Sequence, residues 1–331
     1  MPMLRQQYLP ASAVPDASQL LAQPGVLAVV HFGDACEPGA QPGIIPLGMP
    51  SLSDKPWEVI RYGDVVAERG IDEHCHWSLI DDVLCVATWI APEDCSDIEA
   101  ATEVAYGRLF RVIQSKGFPY PFRIWNFMPD INRGAGDSEE YKKFCVGRQR
   151  AFDDYHVAPQ EYPAASALGH HTRGAVIYLL AGRNSGVHHE NPRQQPAYQY
   201  PREYGPSSPS FARATSLVLR SKAQVFISGT ASIIGHNTQA VGDLEQQLAI
   251  TLDNIQHLLE HLKQGGTELS AIRVYLRHAQ DAAVAEAFLT SRLPAIALNF
   301  IHADICRSQL LVEIEALASV ADNATLGASP G

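Results

Sequence analysis

The stretch Leu311-Val-Glu-Ile-Glu-Ala-Leu317 constrains the fold more than any other part of the chain, because its apolar and charged residues alternate with a period of two. Successive side chains of a β-strand point to opposite faces, so Glu313 and Glu315 share one face while Val312, Ile314 and Ala316 share the other. One face is therefore acidic. A solvent-facing edge strand with two hydrated carboxylates is the plain reading, since charges sit outside. The alternative is a buried site that hides a catalytic acid. The wider run from His302 to Ala316 reads as one full strand that carries a thiol, Cys306, ahead of Glu313.

The chain has 331 residues, 46% hydrophobic and 18% charged, which suits one large or two ordinary globular domains. Its net charge is −11, and its lysines and arginines are scattered, so the footprint of a nucleic-acid binder is missing and small molecules are the expected partners. No apolar run approaches the ~20 residues of a membrane helix, and residues 1–10 lack a charged segment followed by an apolar one. A cytoplasmic protein is expected. The cysteines at 36, 75, 85, 95, 145 and 306 form no Cys-x-x-Cys pair and are expected to be reduced thiols. The histidines at 74, 76, 170, 171, 188 and 189 lack metal-site spacing, so no metal is expected.

Along the chain, residues 1–23 read as an arm. Strands are expected at 26–32, 57–62, 75–80, 83–90 and 122–128, with helices at 97–116 and 139–154; Ser96 is the candidate N-cap of the first helix and Gly117 its stop. The second half offers strands at 175–180, 217–219, 223–235, 271–277 and 296–317, with helices at 243–262 and 282–293. A proline-rich loop, 182–209, carries three tyrosines; a loop so long is expected to build a site. Both halves repeat a strand-strand-helix-strand order, which suggests two related α+β units without a clear residue-level repeat. The expected division is an arm at 1–23, an N-terminal α+β domain at 24–160, a catalytic domain at 161–321 and a flexible tail at 322–331.

From Phe226 to Val320 the chain resembles the RidA/YjgF-like (chorismate mutase-like) fold. The resemblance rests on Ile227-Ser-Gly229 at a strand bend, the long helix from Leu244, Arg273-Val-Tyr-Leu276 and the closing Val312-Glu-Ile-Glu-Ala-Leu317. Imine deaminases of that fold carry a carboxylate-binding arginine before the closing glutamate; here the neighbourhood reads Ala297-Leu-Asn-Phe300, which weighs against deamination. A second resemblance spans nearly the whole chain: Asn191-Pro-Arg-Gln-Gln-Pro-Ala-Tyr-Gln-Tyr-Pro201, Tyr204-Gly-Pro206, Ser208-Pro-Ser-Phe-Ala-Arg213, Ser228-Gly-Thr-Ala-Ser232 and His302-Ala-Asp-Ile-Cys-Arg307 ahead of Glu313. Together these look like the chorismatase family, which removes pyruvate from chorismate. Cys306, seven residues before Glu313, is similar to the hydroxybenzoate-forming members, including bifunctional ones that make 3- and 4-hydroxybenzoate for aryl polyene pigments and quinones.

That resemblance implies Glu313 as the acid that protonates the enolpyruvyl methylene, with burial raising its pKa. It implies Cys306 as a shaping residue beside the ring that disfavours attack by water. For the two substrate carboxylates Arg148, Arg213 and Arg277 are the candidates, because guanidinium forks match carboxylates. Arg277 has a plainer reading as a surface residue pairing with Asp281. Tyr198 and Tyr204 are candidates to orient the substrate, or else pack the loop. Gly229 and Ala231 are candidates for close backbone approach to a ligand, or else mark a strand kink. No cofactor is implied, and the chain is expected to be a monomer or a trimer. An enamine or imine deaminase and a small-molecule sensor on the same fold stay open as alternatives.

Overall fold

The run Val83–Ile90 is apolar on both faces and buried at every position, as a strand must be when a second layer covers each side of its sheet. The computed structural model describes residues 3–14, 16–220, 222–262 and 267–320; the expected tail at 322–331 lies outside them. A small sheet comes first. Its strands are β1 (Arg5–Leu9), β2 (Val26–His31), β3 (Ile44–Pro46) and β4 (Trp57–Arg61), in the order β1-β4-β2-β3, with the short helix α1 (Ala17–Leu21) packed on β2. The described part of the expected arm at 1–23 is thus not free: β1 pairs residue by residue with β4.

The second sheet is built from β5 (Glu68–Asp72), β6 (Cys75–Ile80), β7 (Val83–Ile90), β8 (Tyr120–Pro129), β9 (Ala164–His170) and β10 (Ala175–Gly182), with helices α2 (Ile98–Ser115) and α3 (Glu140–Asp154) on its outer face. Strands β9 and β10 follow the expected domain boundary at 160 yet belong to this first half. The third sheet holds β11 (Val187–His189), β12 (Ala214–Leu219) and β13 (Lys222–Ala231), then, after the small hairpin β14 (Ile233–Ile234) and β15 (Asn237–Thr238), β16 (Thr267–Leu276) and β17 (Ala297–His302). Helices α4 (Leu244–His261) and α5 (Ala282–Arg292) cover its outer face. The chain closes with β18 (Asp304–Ile305), which crosses to pair with β9 of the second sheet, and β19 (Val312–Val320), which returns to the middle of the third.

The stretch 302–316 is therefore not one strand. Arg307, Ser308 and Gln309 interrupt the apolar run, and the chain changes sheets between Cys306 and Glu313. Helix α2 is capped by Asp97, whose carboxylate accepts from Ala100 N at 3.2 Å, and not by Ser96, whose hydroxyl bonds back to Glu93 O. Asp243 caps α4 in the same way at 3.0 Å from Gln246 N. Such caps contribute about 1 kcal/mol each. Leu248, Ile255 and Leu258 of α4 are fully buried against the third sheet, worth about 1.5–3 kcal/mol apiece.

The two large sheets repeat one design. The orders β9-β8-β10-β7-β6 and β17-β16-β19-β13-β12 correspond strand for strand, and in each the first pair is parallel and the rest antiparallel. This is the α+β arrangement expected from the RidA-like motifs, present twice. A residue-level trace survives: Phe122-Arg-Ile-Trp125 of β8 occupies the place that Ile272-Arg-Val-Tyr275 occupies in β16. The inner faces of the two sheets meet in one core that includes Trp125, Tyr178, Phe226, Tyr275 and Leu317.

Candidate active site

Glu313 and Glu315 lie on the inner face of β19, so the acidic face points into the molecule and is not hydrated; they are 5% and 3% exposed. The two carboxylates meet different surroundings. Glu315 is ringed by donors: Arg123 Nη2 and Ser166 Oγ at 2.6 Å from Oε2, Trp125 Nε1 at 2.7 Å from Oε1, and Arg273 Nη1 at 3.3 Å. These guanidiniums and hydrogen bonds outweigh burial and hold its carboxyl below the usual range. Glu313 receives no hydrogen bond from any described residue, and burial, reinforced by the charge of Glu315, pushes it up to about 8 despite Arg123 and Arg213. Two carboxyls two residues apart are thus driven to opposite protonation states at neutral pH.

The space in front of Glu313 is a cavity of about 260 Å³ between the two sheets. Gly229 sits where the register of β13 against β19 shifts, and Ala231 pairs directly with Glu313. An added Cβ at Gly229 would lie 2.0 Å from Glu313 Oε1, so the absence of a side chain there makes room for the carboxyl. Ser166 of β9 ties the wall together, accepting from Gly229 N at 2.9 Å and from Arg123 at 2.6 Å while donating to Glu315.

Seven of the residues singled out from the sequence line this one cavity: Arg148, Tyr204, Arg213, Gly229, Ala231, Cys306 and Glu313. Arg148 reaches in from α3 and is 1% exposed; its guanidinium lies beside the Tyr106 hydroxyl and the Cys145 thiol, but Nε and Nη2 make no well-formed hydrogen bond. Arg213 is 3% exposed, donates Nη2 to Gln195 O and Tyr200 Oη, and leaves Nε unpaired. A buried guanidinium with open donors costs free energy unless an acceptor arrives, so these two are poised for anionic oxygens. Cys306, carried on the crossover after β18, keeps its proton: burial pushes its thiol up to about 12. It is a small neutral wall, not a thiolate.

Arg277 and Tyr198 do not line the cavity. Arg277 donates Nε to Leu310 O at 2.7 Å, Nη1 to Asp304 Oδ1 at 2.7 Å and Asn132 Oδ1 at 3.1 Å, and Nη2 to the carbonyls of Ile305 and Arg307 at 2.9 and 3.0 Å. It is not paired with Asp281, and its donors are taken up by the crossover that carries Cys306, which it clamps. Tyr198 packs edge-on against Tyr162, 5.9 Å between ring centroids, within the core under α3. Reading by residue type missed Lys142, Tyr200 and Arg307, which do line the cavity. Tyr200 and Arg307 each lie at or next to the end of a family-like motif, 191–201 and 302–307, which was the available signal. Arg307 donates to His236 O at 2.8 Å and lies 4.2 Å over the Tyr204 ring, while Tyr204 Oη donates to His236 O at 2.8 Å. The loop 182–209 is not featureless: it holds β11 and two short 3-10 turns, one of which brings Tyr204 to the cavity.

Among the described residues no three potential metal ligands cluster, and no helix is long and apolar enough to cross a membrane. His188 and His189 share hydrogen bonds with the hydroxyls of Thr215 and Ser216. All six cysteines are free.

The family model described as "Chorismatase FkbO/Hyg5-like, N-terminal" matches residues 58–181. A 3-hydroxybenzoate synthase of Streptomyces hygroscopicus is 37% identical over 309 residues, covering 88% of this chain and 90% of the relative. A chorismatase of the same organism is 34% identical over 264 residues, 76% of each. The crystal structure of a chorismatase matches with a TM-score of 0.83 at 29% identity, over 97% of this chain and 98% of that one.

Proposed function

The chain belongs to the chorismatase family, and on that premise we propose that it converts chorismate to pyruvate and hydroxybenzoate with Glu313 as the proton donor. Chorismate carries two carboxylates and an enol ether, so its site needs fixed cations and an acid that is still protonated at neutral pH. The cavity offers Arg148, Arg213, Arg307 and Lys142 as cations. Glu313, lifted to about 8, is the acid. That single neutral carboxyl, facing buried guanidiniums with open donors, carries the reading.

In the reaction Glu313 gives its proton to the enolpyruvyl methylene carbon, and the ether oxygen stabilises the resulting cation as an oxocarbenium ion. For the 3-isomer the neighbouring ring hydroxyl attacks the carbon that bears the ether as the ring–oxygen bond breaks, and gives up its own proton. Pyruvate leaves with the ether oxygen, and the ring oxide so formed is reprotonated and opens at its other carbon, which loses its hydrogen as a proton when the ring becomes aromatic. For the 4-isomer the ring–oxygen bond breaks without that attack, and the carbon bearing the hydroxyl loses its proton. Pyruvate and hydroxybenzoate together contain every atom of chorismate, so no water is consumed. Water entering the site would instead give the non-aromatic diol, and the thiol of Cys306 fills space beside the ring where such water would stand. Arg148 and Arg213 hold the carboxylates, Tyr204 and Tyr200 frame the entrance, and Gly229 and Ala231 leave room for Glu313. The aromatic product is 3-hydroxybenzoate, 4-hydroxybenzoate or both.

The reading places the enzyme in the cytoplasm, as a monomer or trimer, without a nucleic-acid or membrane partner. The test is incubation of the protein with chorismate, chromatography of the aromatic products and an assay for pyruvate. Pyruvate with 3-hydroxybenzoate, 4-hydroxybenzoate or both from the wild type, and none from Glu313→Gln of unchanged fold, is expected. Full turnover by Glu313→Gln would remove Glu313 from the mechanism.

A further inference from the structure

The hydrogen bonds around Glu315 extend away from the cavity. Arg273, which touches Glu315 Oε1 from 3.3 Å, is forked the other way: its Nε and Nη2 lie 2.6 and 2.8 Å from the two oxygens of Glu58. Glu58 is on β4 of the small sheet, fully buried, and takes a further hydrogen bond from Gln6 of β1 at 3.1 Å. A continuous chain of four buried charges, Glu58–Arg273–Glu315–Arg123, therefore runs from the N-terminal sheet to the residue beside the proton donor. Buried ions are costly to keep, and apolar residues of the same volume would hold two sheets together as well. What an apolar substitute lacks is a fixed negative charge two residues from Glu313.

The donor set explains why that charge stays. Arg123, Ser166, Trp125 and Arg273 all present N–H or O–H groups to Glu315, so a proton on Glu315 would leave a donor facing a donor. Glu313 faces no donor of this kind. Its neighbours from the packed elements are Glu315 on its own strand, Arg123 of β8, Arg213 ahead of β12, Tyr141 and Arg148 of α3, Tyr275 of β16 and Cys306 of the crossover. When the pair shares one proton, it sits on Glu313. Glu58 assists from a distance. By taking the two closer contacts of Arg273, it keeps that guanidinium from neutralising Glu315 in full.

We infer that Glu315 and Glu58 are positioning residues for the reaction: Glu315 keeps the proton on Glu313 by its own charge, and Glu58 preserves that charge by drawing Arg273 away. The inference rests on Glu313 being the proton donor. It adds two residues that touch no substrate, one of them in a different sheet.

The experiment is the pH dependence of kcat on chorismate for wild type, Glu315→Gln and Glu58→Gln, with melting temperature and circular dichroism as checks on folding. The donor must be protonated, so kcat falls on the basic side as pH rises through its pKa. Removing a like charge about 7 Å away along the strand lowers that limb by about one to two pH units in Glu315→Gln. Glu58→Gln, outside the cavity, moves it in the same direction by roughly half a unit. A basic limb that stays at the wild-type position in folded Glu58→Gln and Glu315→Gln overturns the inference. If Glu315→Gln fails to fold, Glu58→Gln decides alone. A wild type with no basic limb, together with an active Glu313→Gln, would instead sink the assignment of Glu313 itself and the inference with it.

Discussion

Gly229→Ala gives the most direct test of the geometry at Glu313. The φ of Gly229 lies outside the left-handed region, so the backbone there accepts alanine, and the cost of the change is one of space alone. The added methyl would stand 2.0 Å from Glu313 Oε1, 2.8 Å from its Cδ and 3.1 Å from Ser166 Oγ. Contacts inside 3.0 Å are essentially never seen, so the carboxyl must retreat by at least about 1 Å. A displacement of that size at a reacting group costs roughly 100-fold in rate, about 2.7 kcal/mol of barrier. Overpacking costs a further ~1–3 kcal/mol of stability. The assay is initial-rate pyruvate release paired with chemical denaturation. The same alanine in a Glu313→Ala background should restore most of the lost stability, since the clashing group is gone, while turnover stays absent. A Gly229→Ala enzyme within threefold of wild-type kcat would refute the argument. So would a stability loss that persists undiminished in the double variant.

Cys306→Ala opens space beside the ring and shifts product from hydroxybenzoate toward the water-addition diol; unchanged product ratios on chromatography would remove Cys306 from product control. Arg277→Ala breaks the clamp on the crossover and leaves Asp304 without its cation, which is expected to cost about 2–4 kcal/mol in urea denaturation and to change product ratios, since Cys306 rides on that segment. A loss confined to KM would mean that Arg277 binds substrate after all. Glu313→Gln gains stability relative to wild type as pH rises. The folded carboxyl titrates near 8 and the unfolded one near the ordinary value, so between those pH values the folded state holds the extra proton and the wild type loses up to about 1.4 kcal/mol per pH unit. Parallel melting curves for the two proteins from pH 5 to pH 8 would contradict the raised pKa.

What the sequence made legible follows from which interactions are local. Period-two alternation put Glu313 and Glu315 on one face, and helical spacing found α2, α3, α4 and α5, because both patterns are written within a dozen residues. Whether the acidic face meets water depends on a second sheet more than a hundred residues away, and nothing in Leu311–Leu317 states it. Strand β9, Ala-Ala-Ser-Ala-Leu-Gly-His, escaped notice because its residues have little strand propensity; it is a strand because β8 and β18 pair with it on either side. Its small side chains are what let β13 approach, with Ser228 Oγ accepting from Ala165 N at 2.9 Å. Arg277 shows the opposite failure. A guanidinium near a motif suits carboxylate binding, but three backbone carbonyls of the crossover had the prior claim on it.

The duplicated architecture explains why one chain has a single such centre. Overlaying β8 on β16 by their Arg-x-aromatic motif puts Tyr178 of β10 where β19 carries Glu313, and Leu180 where it carries Glu315. The first half has the arginine but neither carboxylate. Its arginine is not idle: Arg123 crosses to Glu315 of the second half, while Arg273, the counterpart within that half, is mostly taken up by Glu58. The ionised member of the carboxyl pair is thus held chiefly by the other half of the chain. Separating the halves would leave Glu315 without its closest cation, and neither half alone holds the electrostatic arrangement that keeps Glu313 protonated. The two α+β units are therefore one catalytic body, although each repeats the same strand order.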